Sequence, residues 1–264
     1  MSNYHDMLSQ IDAYQVRIND YRPFGDKLLP QIKDYYRVGL TYTSSALEGI
    51  SYTESETKVL LEDGLTAGGR PLRDALAIQG HAKAFDYMFS LLRETRLSSR
   101  DFLRMHEFLQ GGLESGSAGK YRSCPVFITG SRFSTPSPGR IEQEMKALDD
   151  WLENQREAMH PVTFAVQLHK RLVFIHPFED GNGRVSRLAM NTALIQKGYL
   201  PLIIPPVIRS EYIQNLETAH LDDGPYMKFM ARREIESQRE MLRLLEENCD
   251  HQEHLHSDNH MNLT

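Results

Sequence analysis

The chain has 264 residues, a formal net charge of −6 and 40% hydrophobic residues. It is long enough for one domain with a large core, and no internal repeat or obvious linker divides it. The negative charge argues against direct nucleic-acid binding, and no signal peptide or long apolar run indicates export or a membrane span. Cys124 and Cys249 are too few and too far apart for a disulfide framework. We therefore predict a cytoplasmic protein.

Most of the sequence has helical periodicity, which predicts an all-α fold. Residues 1–39 are expected to form an N-terminal helical segment. Apolar residues repeat at helical spacing over 32–47, which places Ser44 and Glu48 four residues apart on one helix face. Gly49 can end this helix in a left-handed conformation. A glutamate in the last turn opposes the helix dipole at a cost of about 0.3–1 kcal/mol, which a nearby cation would offset.

The middle of the chain contains further predicted helices. Thr53 opens a short helix with a capping box. An apolar stripe over 78–92 predicts a core helix. Ser98 starts the next helix, and we interpret its His106 as a helix-face histidine rather than a metal ligand.

Residues 126–133 form a β-favouring run with a central glycine, which predicts a β-hairpin. A short exposed hairpin could bind an extended segment of another protein by strand addition. An ordinary surface hairpin is the alternative interpretation. Ser137 and Pro138 have residue types preferred at the N-cap and first position of a helix. Two amphipathic helices follow, and the second begins at Pro161 and leads to His176.

The most informative stretch is the run HPFEDGNGRVSR at positions 176–187. Pro177 pushes His176 out of the helical region and ends the preceding helix. Glycines on both sides of Asn182 permit a turn whose successive backbone N–H groups converge on an anion. The helix predicted from Arg184 to Lys197 adds the N–H groups and the positive dipole of its N-terminus. The run therefore predicts an anion site at a loop–helix junction.

Charged side chains complete this predicted anion site. Arg184 and Arg187 are three residues apart and project from one face of the helix. Asp180 precedes the turn, where a carboxylate can hold a Mg²⁺ that bridges phosphates. His176 titrates near working pH, as a general base should. A helix-capping turn with solvated arginines is the alternative interpretation.

This run resembles the signature of the Fic family, His-x-Phe-x-Asp/Glu-Gly-Asn-Gly-Arg-x-x-Arg, at every specified position. The resemblance implies a Fic-type helical bundle with one β-hairpin flap at 126–133. It places the Fic domain, with an inhibitory helix, at 40–230. The N-terminal helical segment then occupies 1–39, and a C-terminal helix with a polar tail occupies 231–264.

The resemblance also implies roles for the matched residues. His176 would take the proton from a target hydroxyl, Phe178 would anchor the loop in the core, and Asp180 would bind Mg²⁺. Family alignment would put Tyr212 near the adenine, and burial of this aromatic ring in the core is the alternative. The phosphates of ATP would be held by the turn and the helix behind it, namely Gly181, Asn182, Gly183, Arg184 and Arg187.

The implied activity is transfer of AMP from ATP to a Ser, Thr or Tyr hydroxyl of a target protein docked at the flap. Glycine rather than lysine at position 183 separates the chain from the Doc-like branch, which phosphorylates. Two alternatives stay open. One is the reverse reaction, in which Glu48 orients a water that removes AMP. The other is a nucleotide-binding regulatory module without turnover, although binding alone needs no base such as His176. A homodimer is possible.

A second, shorter run, Ser44-x-x-x-Glu48-Gly49, resembles the family's inhibitory motif, Ser/Thr-x-x-x-Glu-Gly/Asn. The resemblance implies that Glu48 pairs with Arg187 and keeps the γ-phosphate from its productive position, while Ser44 steadies Glu48. A plain helix end is the alternative.

The C-terminal part carries less information. Ser210 is expected to cap a helix that contains Tyr212, and residues 225–247 are expected to form a long charged helix. The last residues contain four histidines without ligand-spaced cysteines or carboxylates, so we interpret them as a polar tail rather than a metal site. These are His251, His254, His256 and His260.

Overall fold

A computed structural model describes residues 3–94, 96–113 and 116–261, with side chains described up to Glu247. This part of the chain is helical and contains no β-strand, which confirms the all-α class. No helix in it is both long and apolar enough to cross a membrane. The helices are α1 Tyr4–Asn19, α2 Leu28–Leu47, α3 Glu54–Glu62, α4 Leu72–Ser90, α5 Ser99–Gln110, α6 Ile141–Gln155, α7 Pro161–Ile175, α8 Asn182–Gln196, α9 Arg209–Thr218 and α10 Asp223–Met261.

Local sequence sets the starts of α3 and α5. The predicted capping box is present at Thr53 before α3, and Ser98 starts α5 as predicted, with a capping box of its own. Ser210 does not cap α9, because a 3-10 turn at Pro206–Ile208 runs directly into the helix and makes Ile208 the N-cap. The last helix, α10, extends past both predicted ends at 225 and 247, and the four histidines of the predicted tail have side chains outside the described set.

Every helix except α3 contributes buried residues to the main hydrophobic core. Helices α7 and α8 pack against each other at its centre, and α1 packs along α10. Phe178 of the run at 176–187 is completely buried in this core. α3 packs with α4 on a second, smaller cluster formed by Tyr52, Leu60, Ala75 and Ile78. The predicted division into 1–39, 40–230 and 231–264 stays a prediction, and α2 and α10 run across its two boundaries.

The predicted hairpin at 126–133 is absent as regular structure. Gly130 does turn the chain, with φ +85°. Instead of a strand ladder, a single side-chain bond joins the two arms, from the Thr135 hydroxyl to the Val126 carbonyl at 3.1 Å. The arms fail to pair because the tip of the turn binds Glu217 of α9 instead of its own opposite strand. We call residues 124–136 the flap segment.

Candidate active site

His176 lies where α7 ends. Its backbone has φ 50° and ψ 58°, and its N–H still donates to the Leu172 carbonyl at 3.1 Å. The sequence predicted the helix end and a residue outside the right-handed helical region, and His176 adopts the left-handed conformation there. The turn points the imidazole into a cleft of about 340 Å³, which is also lined by Glu48, Gly183, Arg187 and Tyr212.

The hydrogen bonds of His176 define its tautomer. Nδ1 is 3.2 Å from the Val173 carbonyl, which can only accept, so Nδ1 carries the proton. Nε2 of the neutral ring is then an acceptor. Burial lowers the pKa of His176, the bond to Val173 opposes that shift, and the Arg122 charge adds to it. The imidazole is therefore neutral near pH 7, in the form that can accept a proton.

The turn between α7 and α8 is built on Asn182. Its side-chain oxygen accepts from the Phe178 N–H at 2.9 Å, and its amide donates to the Phe178 carbonyl at 2.8 Å. Gly181 has φ +82°, which a side chain would strain. α8 begins at Asn182, two residues before the predicted start, so the N-terminus of the helix lies directly beneath the turn.

Gly183 has a helical backbone in the first turn of α8, so a glycine is not needed here for an unusual backbone conformation. The glycine instead allows other side chains to approach the helix closely. A Cβ atom placed there would lie 2.5 Å from Glu48 Oε1 and 2.9 Å from Arg187 Nη1. The absence of a side chain at position 183 thus lets the Glu48 carboxylate lie against the first turn of α8.

Arg187 joins the inhibitory run to the cleft. Its Nε donates to Ser44 Oγ at 2.9 Å, and its Nη2 donates to the Ser44 carbonyl at 3.0 Å and to Glu48 Oε1 at 2.7 Å. Ser44 therefore binds Arg187, the partner of Glu48, and the expectation that it steadies Glu48 stays a prediction. The Glu48 side chain is 37% exposed and the Arg187 side chain is buried. Burial would raise the pKa of Glu48, but the charge and hydrogen bond of Arg187 lower it overall.

A second cation meets the end of α2. Arg209 Nε donates to the Leu47 carbonyl at 2.6 Å, and Arg209 also lines the cleft. Together with Arg187, it supplies the positive charge that offsets the dipole cost of Glu48, which is the C-cap of α2. Gly49 follows with φ +88°, as the helix-end interpretation predicted.

Asp180 and Arg184 form a separate pair outside the cleft wall. Arg184 Nη2 donates to Asp180 Oδ2 at 2.9 Å, and Gln110 Nε2 donates to the same oxygen at 3.2 Å. The Asp180 side chain is 61% exposed. No group of three or more candidate metal ligands occurs in the described part of the chain. A single accessible carboxylate still fits Mg²⁺, which commonly keeps waters and phosphate oxygens as its other ligands.

His106 supports the turn from below, a role that the helix-face interpretation missed. Its Nδ1 accepts from the Gly119 N–H at 3.1 Å, so its Nε2 is the protonated atom, 3.1 Å from the Asp180 carbonyl. Its ring stacks on Phe178 with centroids 3.9 Å apart. Burial lowers the pKa of His106 to about 4 and keeps it neutral. His106 and Gln110 lie one helical turn apart on α5, and both contact Asp180.

Tyr212 lies between the core and the cleft, and its placement near the adenine stays a prediction. The residue is buried, its hydroxyl lies 2.9 Å from His169 Nε2, and His169 Nδ1 lies 2.7 Å from the Tyr226 hydroxyl. One edge of Tyr212 nevertheless lines the cleft beside Arg187.

The flap segment covers the other side of the cleft. The Glu217 carboxylate accepts from Ser131 Oγ at 2.8 Å and from the Arg132 N–H at 2.7 Å. Phe133 stacks on His220, which stacks in turn on Phe174, two residues before His176.

The described part of the protein is all-helical, and its cleft places a histidine beside a turn at a helix N-terminus, a position that attracts anions. Residues 96–194 match the Fic/DOC family. This range contains the whole run at 176–187 and the flap segment. The chain belongs to the Fic/DOC family.

Curated relatives extend the similarity beyond this range. Protein adenylyltransferase Fic of Nematostella vectensis is 33% identical over 231 residues, which cover 86% of this chain and 53% of the relative. The protein of the same name from Drosophila willistoni is 33% identical over 227 residues, which cover 85% of this chain and 45% of the relative. The chain thus spans about half the length of these relatives.

Solved structures share the fold. Fic-1 from C. elegans superposes with a TM-score of 0.84 at 26% identity, covering 93% of this chain and 73% of the other. A Fic domain containing signaling protein from Bacteroides thetaiotaomicron superposes with a TM-score of 0.78 at 27% identity, covering 91% of this chain and 97% of the other.

Proposed function

We propose that the chain is a protein adenylyltransferase that transfers AMP from ATP to a hydroxyl group of a target protein and is inhibited by its own Glu48. The names of the curated relatives support the activity. The observation that carries the proposal is the contact between Glu48 and Arg187 against Gly183, in the same cleft as His176.

In the proposed reaction, the target hydroxyl attacks the α-phosphorus of ATP. The new oxygen–phosphorus bond forms while the bond to pyrophosphate breaks, and the hydroxyl proton passes to His176 Nε2. A neutral hydroxyl needs a base within hydrogen-bond reach, and the tautomer of His176 leaves Nε2 free to accept. Pyrophosphate is then released and carries the negative charge from the broken bond.

The phosphates are assigned to the turn and to α8. The N–H groups at the N-terminus of α8, with Gly181, Asn182 and Gly183, would hold the α- and β-phosphates, since this end of a helix attracts anions. Arg184 and Arg187 would hold the β- and γ-phosphates. Mg²⁺ held by Asp180 would neutralise charge on the phosphates as pyrophosphate leaves.

Inhibition follows from competition for Arg187. Glu48 takes a guanidinium hydrogen bond that a γ-phosphate would otherwise receive, and it fills the space beside Gly183. Because its pKa is lowered, Glu48 stays charged at neutral pH and the pair persists. ATP would then bind in a pose whose α-phosphorus is not presented to the target.

Two alternatives use the same groups. Glu48 is partly exposed in the cleft that contains His176, so its carboxylate could orient a water that removes AMP from a modified protein. A regulatory module that only binds nucleotide would use Arg187 and the turn but would leave His176 without a role.

The target would dock at 126–133, where the Phe127 side chain is 94% exposed. Placement of Tyr212 near the adenine belongs to the same proposal. A homodimer and a cytoplasmic location stay predictions.

Self-labelling with α-labelled ATP tests these readings. The comparison uses three proteins: wild type, the single variant Glu48→Gly, and the double variant Glu48→Gly with His176→Ala. Nucleotide binding is measured in parallel for each of them. The adenylyltransferase proposal requires label in Glu48→Gly and its loss in the double variant. Release of AMP from a labelled protein by wild type, but not by Glu48→Gly, would favour the reverse reaction. Nucleotide binding without label in any folded variant would favour the regulatory module.

A further inference from the structure

Arg122 is a buried cation outside the run at 176–187. It is 2% exposed, and its guanidinium donates to three backbone carbonyls. Nε reaches His176 at 2.8 Å, Nη1 reaches Cys124 at 2.9 Å, and Nη2 reaches Pro136 at 2.6 Å. None of these acceptors is a carboxylate. A buried charge is costly unless its donors are satisfied, so these bonds are what makes an arginine tolerable here.

The three carbonyls belong to two functional parts of the molecule. Cys124 and Pro136 are the two ends of the flap segment, and His176 is the proposed base. The backbone N–H of Arg122 also donates to the Pro177 carbonyl at 2.9 Å. One side chain therefore closes the base of the flap segment and joins it to the backbone that carries the imidazole.

The other charged anchor of the flap segment lies far from this point. Glu217 holds the turn at Ser131 and Arg132 and ties it to α9. Glu217 makes no bond to His176 in the described contacts. Arg122 is therefore the side chain that bonds the flap segment directly to the backbone of His176. Phe133 reaches the same region only through the stacked rings of His220 and Phe174.

We propose that Arg122 is a positioning residue that fixes the flap segment relative to His176 and so places the target hydroxyl within reach of Nε2. The inference rests on the proposed function. Arginine suits this role because its planar guanidinium carries five donors in a fixed fork, whereas a lysine ammonium is a point charge with three donors. The fork allows one side chain to donate to three carbonyls from separate segments.

The test compares Arg122→Lys and Arg122→Met in the Glu48→Gly background. Lys120→Met is the matched control, because Lys120 is an exposed neighbour that also donates to a backbone carbonyl, that of Gly116. Both Arg122 variants should slow single-turnover self-labelling at saturating ATP by about tenfold or more, since a misplacement of about 1 Å can cost 10²-fold. The ATP dissociation constant should stay within about twofold of the parent value, and the control should match the parent.

The pH–rate profile separates geometry from charge. Arg122, Glu48 and Asp180 carry the charges that shift the pKa of His176, and the background removes Glu48. The other charged side chains and histidine that line the cleft are the same in all these variants, namely Arg187, Arg209, Glu217 and His220. The Arg122 charge lowers the pKa of His176, so Arg122→Met should move the acidic limb of the profile to higher pH. Arg122→Lys keeps the charge and should leave the limb in place while still losing rate. A general loss of structure would reduce the rate without this difference.

Several results would overturn the inference. Arg122→Met labelling as fast as the parent would do so, as would a loss of ATP binding equal to the loss of labelling. If Arg122→Met does not fold, a full rate in Arg122→Lys is decisive against the inference. If the Glu48→Gly parent itself does not label, the proposed function fails instead. In that case, amide hydrogen exchange over 124–136 tests only whether Arg122 holds the flap segment in place. Faster exchange in the Arg122 variants than in Lys120→Met supports it, and equal exchange overturns it.

Discussion

The run at 176–187 and the flap segment face each other across the cleft, and the fold holds them in opposite ways. The run is fixed by buried bonds, including the reciprocal pair between Asn182 and Phe178 and the stack of His106 on Phe178. The flap segment contains no helix or strand and exposes Phe127. Its tip is held by one carboxylate, Glu217. The groups assigned to chemistry are thus preorganised, while the surface assigned to the target keeps its backbone available.

The largest effect is expected when the proposed base is removed from the run at 176–187, which is the firmly held side of the cleft. His176→Ala should reduce self-labelling in the Glu48→Gly background by about 10²–10⁴-fold, the usual contribution of a positioned general base. ATP binding should change little, because the phosphate-binding groups remain. His160→Ala, at the other end of α7, is the control. Undiminished labelling in His176→Ala would reject the base.

Asp180→Ala should have the next largest effect. Its carboxylate is the one proposed protein ligand of Mg²⁺, and loss of a charge-stabilising group typically costs about 10²-fold or more. Both the rate and its dependence on Mg²⁺ concentration should fall in the Glu48→Gly background. Glu179→Ala, which removes the neighbouring exposed carboxylate, should keep both. An unchanged Mg²⁺ titration curve in Asp180→Ala would show that the metal is held elsewhere.

Glu48→Gly tests the regulation of the rigid side. Hydrogen bonds to charged groups contribute about 1.5–3 kcal/mol, so freeing Arg187 should raise self-labelling by about 10- to 100-fold. Adding Arg187→Ala should cancel the gain. Ser44→Ala should raise labelling less, because it loosens Arg187 and leaves the Glu48 pair in place. Equal or lower labelling by a folded Glu48→Gly protein would reject self-inhibition.

The same contrast explains what could be predicted from the sequence. The turn, the starts of α3 and α5 and the end of α7 depend on neighbouring residues, and local patterns found them. The hairpin failed because its turn binds Glu217, which lies 85 residues away in the chain from Arg132. The roles of His106 and Arg122 escaped because their partners are mainly backbone groups of distant segments, which no spacing pattern marks.

Asn182→Ala should show how firmly the run is held. It removes both bonds to the backbone of Phe178 and leaves a buried N–H and C=O without these partners. An unsatisfied buried group costs about 1–3 kcal/mol, so unfolding by urea should show a loss of about 2 kcal/mol or more. A stability equal to that of wild type would mean that water or a rearranged loop replaces Asn182, and the run would not be rigid.

Glu217→Ala is the matching change on the flap side and should affect stability least. It frees Ser131 Oγ and the Arg132 N–H, but Ser131 is only partly buried and Arg132 is exposed, so water can satisfy both donors. The Arg132 side chain is 82% exposed, and its 3.8 Å contact with Glu217 should add little, as surface pairs contribute about 0–1 kcal/mol. Unfolding free energy should therefore fall by about 0.5 kcal/mol or less. Amide exchange over 128–135 should nevertheless accelerate, because the flap segment then keeps Arg122 at its base but loses the anchor at its tip. Destabilisation as large as that of Asn182→Ala would contradict this difference, because it would show that the flap segment contributes to the folded core as strongly as the run at 176–187.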